Sequence, residues 1–224
     1  MVTADVYLQW SMDFREVSDP DQSFQHGSGP SLSVISAVEQ GTEMLELDCH
    51  LTNDTYVVVS HDENLLRQTG HDVTISSLSL KDVPQYKETL DVTFYTGNTG
   101  TDRTIALLED VFKKFPKIPI SIEIKENNHQ LMQEVSNLVK RYDREGITVW
   151  ASESSAIMKK CRSINSSMPY SFSKKRGILL LLLFYTGLLP FVPLGESLLQ
   201  FYLPRIINRC VCRASLPCKR RSSG

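Results

Sequence analysis

From Leu45 to Cys49 apolar and acidic side chains alternate, a period that only an extended strand sorts onto two faces. Leu45, Leu47 and Cys49 leave one face, while Glu46 and Asp48 leave the other. Two ionised carboxylates about 4 Å apart repel by roughly 4 kcal/mol at an effective dielectric near 20. Such a pair therefore calls for a cation, a base or a shared proton. On this spacing alone a solvent-facing edge strand is the alternative. One hairpin later, Ser60-His61-Asp62 offers an imidazole whose unperturbed pKa, about 6.5, suits acid/base work at neutral pH.

A third acid joins them. In Pro119-Ile120-Ser121-Ile122-Glu123-Ile124-Lys125 the isoleucines share one face, and Ser121, Glu123 and Lys125 share the other. A strand this apolar on one side, with functional groups late on the other, fits a barrel interior at its C-terminal mouth. Glu46, Asp48 and Glu123 would then share one hard cation, Mg²⁺ or Ca²⁺, through oxygens at about 2.0–2.6 Å. Lys125 beside it would hold a phosphate oxygen as a point charge; a solvated lysine after a strand is the alternative reading.

Strands are predicted at Met44–Cys49, Tyr56–Ser60, Ile118–Ile124 and Ile147–Ala151, with a weak one at Tyr170–Ser173. Helices are predicted at Ser31–Gln40, Leu107–Phe115, Asn128–Tyr142 and Ser154–Ser163. Strand alternating with helix is a parallel α/β signal.

The stretches Met44-Leu45-Glu46-Leu47-Asp48-Cys49-His50-Leu51-Thr52, Val57-Val58-Val59-Ser60-His61-Asp62-Glu63-Asn64-Leu65 and Arg67-Gln68-Thr69-Gly70 resemble the glycerophosphodiester phosphodiesterase family. More narrowly they resemble its mammalian membrane-associated branch, which acts as a lysophospholipase D. Ile105–Phe112 and Ile122-Glu123-Ile124-Lys125 follow in the same order, and the resemblance runs from about Val34 to about Asn208. It implies a (β/α)₈ TIM-barrel fold with the site at the strand C-terminal ends. The family's metal acids fall on Glu46, Asp48 and Glu123, its second catalytic histidine on His61 and its phosphate-contacting lysine on Lys125. The implied reaction is hydrolysis of a phosphodiester in a lysophospholipid or glycerophosphodiester, with one divalent cation.

The chain departs from the family at its front. The family's first barrel strand carries a His-Arg-Gly motif and the next helix starts with Glu-Asn-Thr; His26-Gly27-Ser28-Gly29 is the nearest stretch here, with glycine in place of the arginine. His26 is also too close to Glu46 for a strand, loop and helix to intervene. With 224 residues against the roughly 250 of a full barrel, the expectation is an incomplete barrel from a spliced or truncated variant. The domain plan is a poorly ordered polar leader at 1–30, a partial barrel at 31–173, a hydrophobic membrane-associated segment at 174–208 and a basic tail at 209–224.

Gly177 to Leu189 is almost wholly apolar, Pro190 and Pro193 interrupt it, and a second short apolar stretch runs from Leu198 to Ile207. A spanning helix wants about 20 apolar residues, so a re-entrant or interfacial hydrophobic insertion fits better, with a buried core helix as the alternative. From Lys174 onward nine Lys and Arg oppose the single Glu196, a net of +8, so the first 173 residues carry −10 of the chain's −2. This asymmetry predicts a membrane-lipid partner and a membrane-associated chain, at the endoplasmic reticulum or perinuclear membrane, its basic segments facing the cytosol. Nucleic acid is not expected, because no aromatic stacking platform interleaves with the charges.

The five cysteines, an odd count without a C-x-x-C pair, predict no disulfide framework; Cys49 reads as core, and Cys210 and Cys212 as palmitoylation candidates. His50, His71 and His129 read as surface or turn residues, with His50 the closest to the acidic face. Two alternatives to the enzyme stand. One is a catalytically inactive membrane-bound variant that binds cation, lipid phosphate or a partner protein. The other is a histidine-dependent phosphoinositide phospholipase, which wants a second histidine ahead of the acids.

Overall fold

The computed structural model describes residues 43–87 and 103–199, and of the remainder 7–8, 38, 91–92 and 95–96. Of the leader predicted at 1–30 only Tyr7–Leu8 is described, as a short strand; the rest of it, most of the Ser31–Gln40 helix, the basic tail and Cys210 and Cys212 lie outside the described residues, as does His26. In chain order the strands are β1 (Tyr7–Leu8), β2 (Leu45–Leu51), β3 (Val57–Val59), β4 (Asp91–Val92), β5 (Tyr95–Thr96), β6 (Ile120–Glu123), β7 (Thr148–Ala151) and β8 (Leu198–Leu199). The helices are α1 (Leu66–Thr69), α2 (Leu108–Lys114), α3 (His129–Arg141), α4 (Ser155–Ile164) and α5 (Lys174–Tyr185).

The central sheet runs β3-β2-β6-β7. β2–β6 and β6–β7 are parallel, and β3 folds back on β2 as an antiparallel hairpin. Parallel bridges from Trp150 to Tyr170 and from Ser171 to Leu198 carry the sheet onward to β8, which pairs in parallel with β1. The weak strand predicted at Tyr170–Ser173 thus contributes two isolated bridges and forms no strand of its own.

In β2 the predicted alternation holds at Leu45, Leu47 and Cys49, which are buried, while Glu46 is exposed and Asp48 half-buried. It stops at His50 and Leu51, which are both buried, His50 lying against Glu126. Parallel strands are usually covered on both sides, and β6 shows it: Ser121 on its polar face is fully buried and only Glu123, at the C-terminal end, regains partial exposure. The polar face is therefore closed along the strand and open at its end, where functional groups gather.

Leu47, Ile120, Ile122 and Trp150 face a helical layer of Leu108, Val111 and Phe112 from α2, Leu131, Met132, Val135 and Val139 from α3, and Ile157, Met158 and Cys161 from α4. The caps match the sequence signals. The Asn128 side chain accepts from Leu131 N at 3.0 Å, starting α3, and the Ser154 hydroxyl accepts from Ile157 N, starting α4. Arg144, 1% exposed, has no carboxylate partner among the described residues; it donates to the carbonyls of Phe115 and Ile118 and lies 4.7 Å from the Phe112 ring centroid. It ties the end of α2 to the start of β6. The buried thiols of Cys49 and Cys161 are free; burial pushes both up, Cys161 to about 12, so they are inert core residues as predicted for Cys49.

The hydrophobic segment does not form a buried core helix, for Gly177 is the one buried residue of α5. Among the described residues no helix is long and apolar enough to cross a membrane. Arg176 anchors α5 by donating to Glu196 at 2.9 Å and to the Pro193 carbonyl at 3.0 Å.

Candidate active site

Register brings the acids together. Asp48 pairs with Glu123 and Glu46 with Ser121 across the β2–β6 parallel ladder, so the three carboxylates leave one side of the sheet toward the strand ends. Glu123 feels all of it. Burial first, then the Asp48 charge, with a smaller contribution from Glu46, pushes its carboxyl up to about 7 against the pull of Lys125. Lys125 Nζ lies 3.1 Å from Asp48 Oδ2 and donates to the His61 carbonyl at 3.3 Å. The other oxygen of Asp48, Oδ1, is buried with no hydrogen-bond partner among the described residues.

His61 stands at the rim, its side chain 67% exposed. Its Nδ1 is 2.6 Å from Asp62 Oδ1, and Arg67 Nε donates to Asp62 Oδ2 at 2.6 Å. Arg67 first, helped by His61, holds the Asp62 carboxyl below its usual range, so it stays an acceptor. An ionised Asp62 makes Nδ1 the donor nitrogen. That leaves Nε2 as the acceptor nitrogen of the ring.

Two positioning residues, Asp62 and Arg67, carried no role in the sequence reading. Their signal was present: Asp62 follows the histidine directly, and Arg67 lies five positions on, where α1 returns it across the turn.

Another cluster corrects the surface reading of His50. It is 4% exposed, and its Nδ1 lies 3.1 Å from Glu126 Oε1. The described His and Glu groups that bring one ligand atom each within 4.8 Å of one another are His50, Glu63 and Glu126, not Glu46, Asp48 and Glu123. In the latter set Asp48 and Glu123 disfavour each other's charge, and the Lys125 ammonium lies against Asp48. His71 and His129 are exposed, as read from the sequence.

A parallel α/β sheet that collects acids, a lysine and a histidine at its strand ends defines the class. The same fold is present in a phosphodiesterase of Oleispira antarctica solved in complex with the product sn-glycerol-3-phosphate (TM-score 0.59, 15% identity, covering 82% of this chain and 83% of that one). It is present too in a glycerophosphoryl diester phosphodiesterase domain from Mycobacterium tuberculosis (TM-score 0.59, 16% identity, 70% and 59%). The chain belongs to the glycerophosphoryl diester phosphodiesterase family, whose model matches residues 31–175. It is 49% identical to the human lysophospholipase D GDPD3 over 199 residues and 51% identical to the human lysophospholipase D GDPD1 over 173 residues. Those matches cover 86% and 76% of this chain but 63% and 55% of the relatives, so the chain spans about three fifths of their length.

Proposed function

We propose that this chain carries a phosphodiester hydrolase site of lysophospholipase D type, acting on lysophospholipids or glycerophosphodiesters with Mg²⁺ or Ca²⁺. The observation that carries it is the Asp48–Glu123 pair with Lys125 alongside: one carboxyl oxygen buried with no hydrogen-bond partner among the described residues, one carboxyl pushed to about 7, and the Lys125 ammonium 3.1 Å from Asp48. Two carboxylates facing each other in register, with one oxygen unmet among the described residues, fit a hard dication. Glu46, Asp48 and Glu123 would hold it, and when bound it supplies charge neutralisation at the phosphate. Lys125 orients a non-bridging phosphate oxygen. His61 moves the proton at Nε2, taking it from the attacking hydroxyl or giving it to the leaving alcohol oxygen, while Asp62 and Arg67 hold the ring.

The fold proposed for the enzyme is a (β/α)₈-type barrel completed only in part by 31–173, with 174–208 as its membrane-contacting insertion. Its substrates are lipids, and we place the chain on a membrane of the endoplasmic reticulum or perinuclear region, basic segments toward the cytosol. Ile178, Leu182, Phe184, Tyr185, Leu188 and Phe191 are each more than half exposed, and Lys174 and Lys175 stand exposed at the head of α5. Such a patch is larger than a solvated surface usually tolerates. Leu182→Asp with Phe184→Asp is expected to cut co-sedimentation with phosphatidylserine-containing vesicles at least tenfold; unchanged sedimentation would remove α5 from the membrane contact.

Release of lysophosphatidic acid from lysophosphatidylcholine tests the activity. His61→Ala is expected to lower turnover by about 10²–10⁴-fold. Equal turnover would take the proton-transfer role from His61. A second reading is an inactive variant that still binds cation or lipid phosphate: the nearest stretch to the family's His-Arg-Gly motif, His26-Gly27-Ser28-Gly29, carries glycine in place of the arginine. That reading predicts cation binding with no turnover in either protein.

A further inference from the structure

We propose that His50, Glu63 and Glu126 form a second cation site, separate from the Glu46–Asp48–Glu123 group and suited to a transition-metal dication such as Zn²⁺. The three residues repeat the first site one step farther out. His50 lies two residues beyond Asp48 on β2, Glu63 two beyond His61, and Glu126 three beyond Glu123. At about 3.3 Å of rise per residue, His50 is displaced roughly 6–7 Å along the strand from Asp48. Paired catalytic metals sit about 3.5–4 Å apart, so an ion here does not share a bridging oxygen with one in the first group.

The spacing is that of ligands. Two donors bound at about 2.1 Å to one ion, at tetrahedral to octahedral angles, lie about 3.0–3.4 Å apart. His50 Nδ1 and Glu126 Oε1 are already 3.1 Å apart, and one oxygen of Glu63 falls within the same 4.8 Å sphere. Closing the set requires the Glu63 carboxylate to move by at most about 1.5 Å, within reach of a side-chain rotation. Ser76 donates to Glu63 Oε1 at 2.6 Å and so fixes that carboxylate from behind, the outer hydrogen bond that metal-ligating carboxylates generally have.

Burial provides the independent sign. The His50 side chain is 5% exposed, yet its Nε2 is buried without any hydrogen-bond partner among the described residues. A structural histidine in a core normally satisfies both nitrogens, since an orphaned one costs about 1–3 kcal/mol. Among the described residues this ring instead engages only the Glu126 carboxylate through Nδ1, with Glu63 in the same cluster. One imidazole with two carboxylates, and room left at the half-buried Glu126, is a borderline donor set that favours zinc or manganese over calcium and magnesium, which take all-oxygen sites.

The test is titration of the full chain, stripped with chelator, by calorimetry with Zn²⁺ and separately with Ca²⁺. Zinc is expected to bind at one equivalent that is lost in His50→Ala. In Glu126→Gln, a half-buried change that spares the sheet, it should weaken by at least about 10–100-fold, the loss typical of removing even an outer partner. Asp48→Asn should leave zinc unchanged while removing calcium. Cobalt substitution should give a visible absorption band that disappears in His50→Ala. Zinc affinity unchanged in Glu126→Gln, or lost equally in Asp48→Asn, would overturn the second site. Because the readout is binding, an inactive chain that passes this test would refute the hydrolase reading and leave the second site standing.

Discussion

Asp48→Asn is expected to drive calcium and magnesium binding below detection in calorimetry, and Glu46→Ala to do the same. Asp48 is the centre of the acidic group: it faces Glu123 in register, lies 3.1 Å from the Lys125 ammonium and has a second oxygen with no hydrogen-bond partner among the described residues. Losing its charge removes both a cation ligand and the neighbour that, after burial, does most to push the Glu123 carboxyl to about 7. The same displacement sets the pH dependence. In the cation-free chain Glu123 keeps its proton over a range, from the ordinary 4.5 to about 7, in which the unfolded chain has already lost it. A raised acid is a stability term present in full at low pH and lost as pH climbs through this window. With chelator present, the melting temperature should therefore fall between pH 5 and pH 8 more steeply in the wild type than in Glu123→Gln. Added calcium should raise it more at pH 8 than at pH 5, because the cation binds the ionised carboxylates. Superimposable pH profiles for wild type and Glu123→Gln would remove Glu123 from the site.

Trp150→Ala is expected to destabilise the chain by about 3–5 kcal/mol in urea unfolding, the usual cost of emptying a large aromatic site. Trp150 is fully buried in β7, opposite Ile122 in the β6 ladder. Its backbone N donates to Pro169 O, and its carbonyl accepts from Ser171 N, the bridges that carry the sheet past β7. Trp150→Phe should cost far less, since the indole Nε1 is buried without a partner among the described residues and contributes volume, not a hydrogen bond. A loss under about 1 kcal/mol for the alanine variant would mean the core does not pack on this ring.

Short-range pattern made most of the fold legible. The predicted strands at Met44–Cys49, Ile118–Ile124 and Ile147–Ala151 and the helices at Leu107–Phe115, Asn128–Tyr142 and Ser154–Ser163 form within a few residues of those bounds, because alternation and caps are local properties. The site was legible to the extent that it follows strand parity: Glu46, Asp48, Glu123 and Lys125 share one side because β2 and β6 pair in parallel and in register. What parity does not encode is a contact through a turn, so the Arg67–Asp62–His61 chain went unread.

The sequence by itself determined the strands β2, β3, β6 and β7 and the helices α2 to α4, which face of β2 and β6 is acidic, and the family to which the chain belongs; all of these follow from side-chain period and residue identity along the chain. Only tertiary structure decided that His50 is buried beside Glu126 and Glu63, that one Asp48 oxygen has no hydrogen-bond partner among the described residues, and that α5 shows its leucines to solvent. Those outcomes depend on which distant segments cover a given side chain. Burial and electrostatic environment arise from contacts between residues tens of positions apart, and no local period records them.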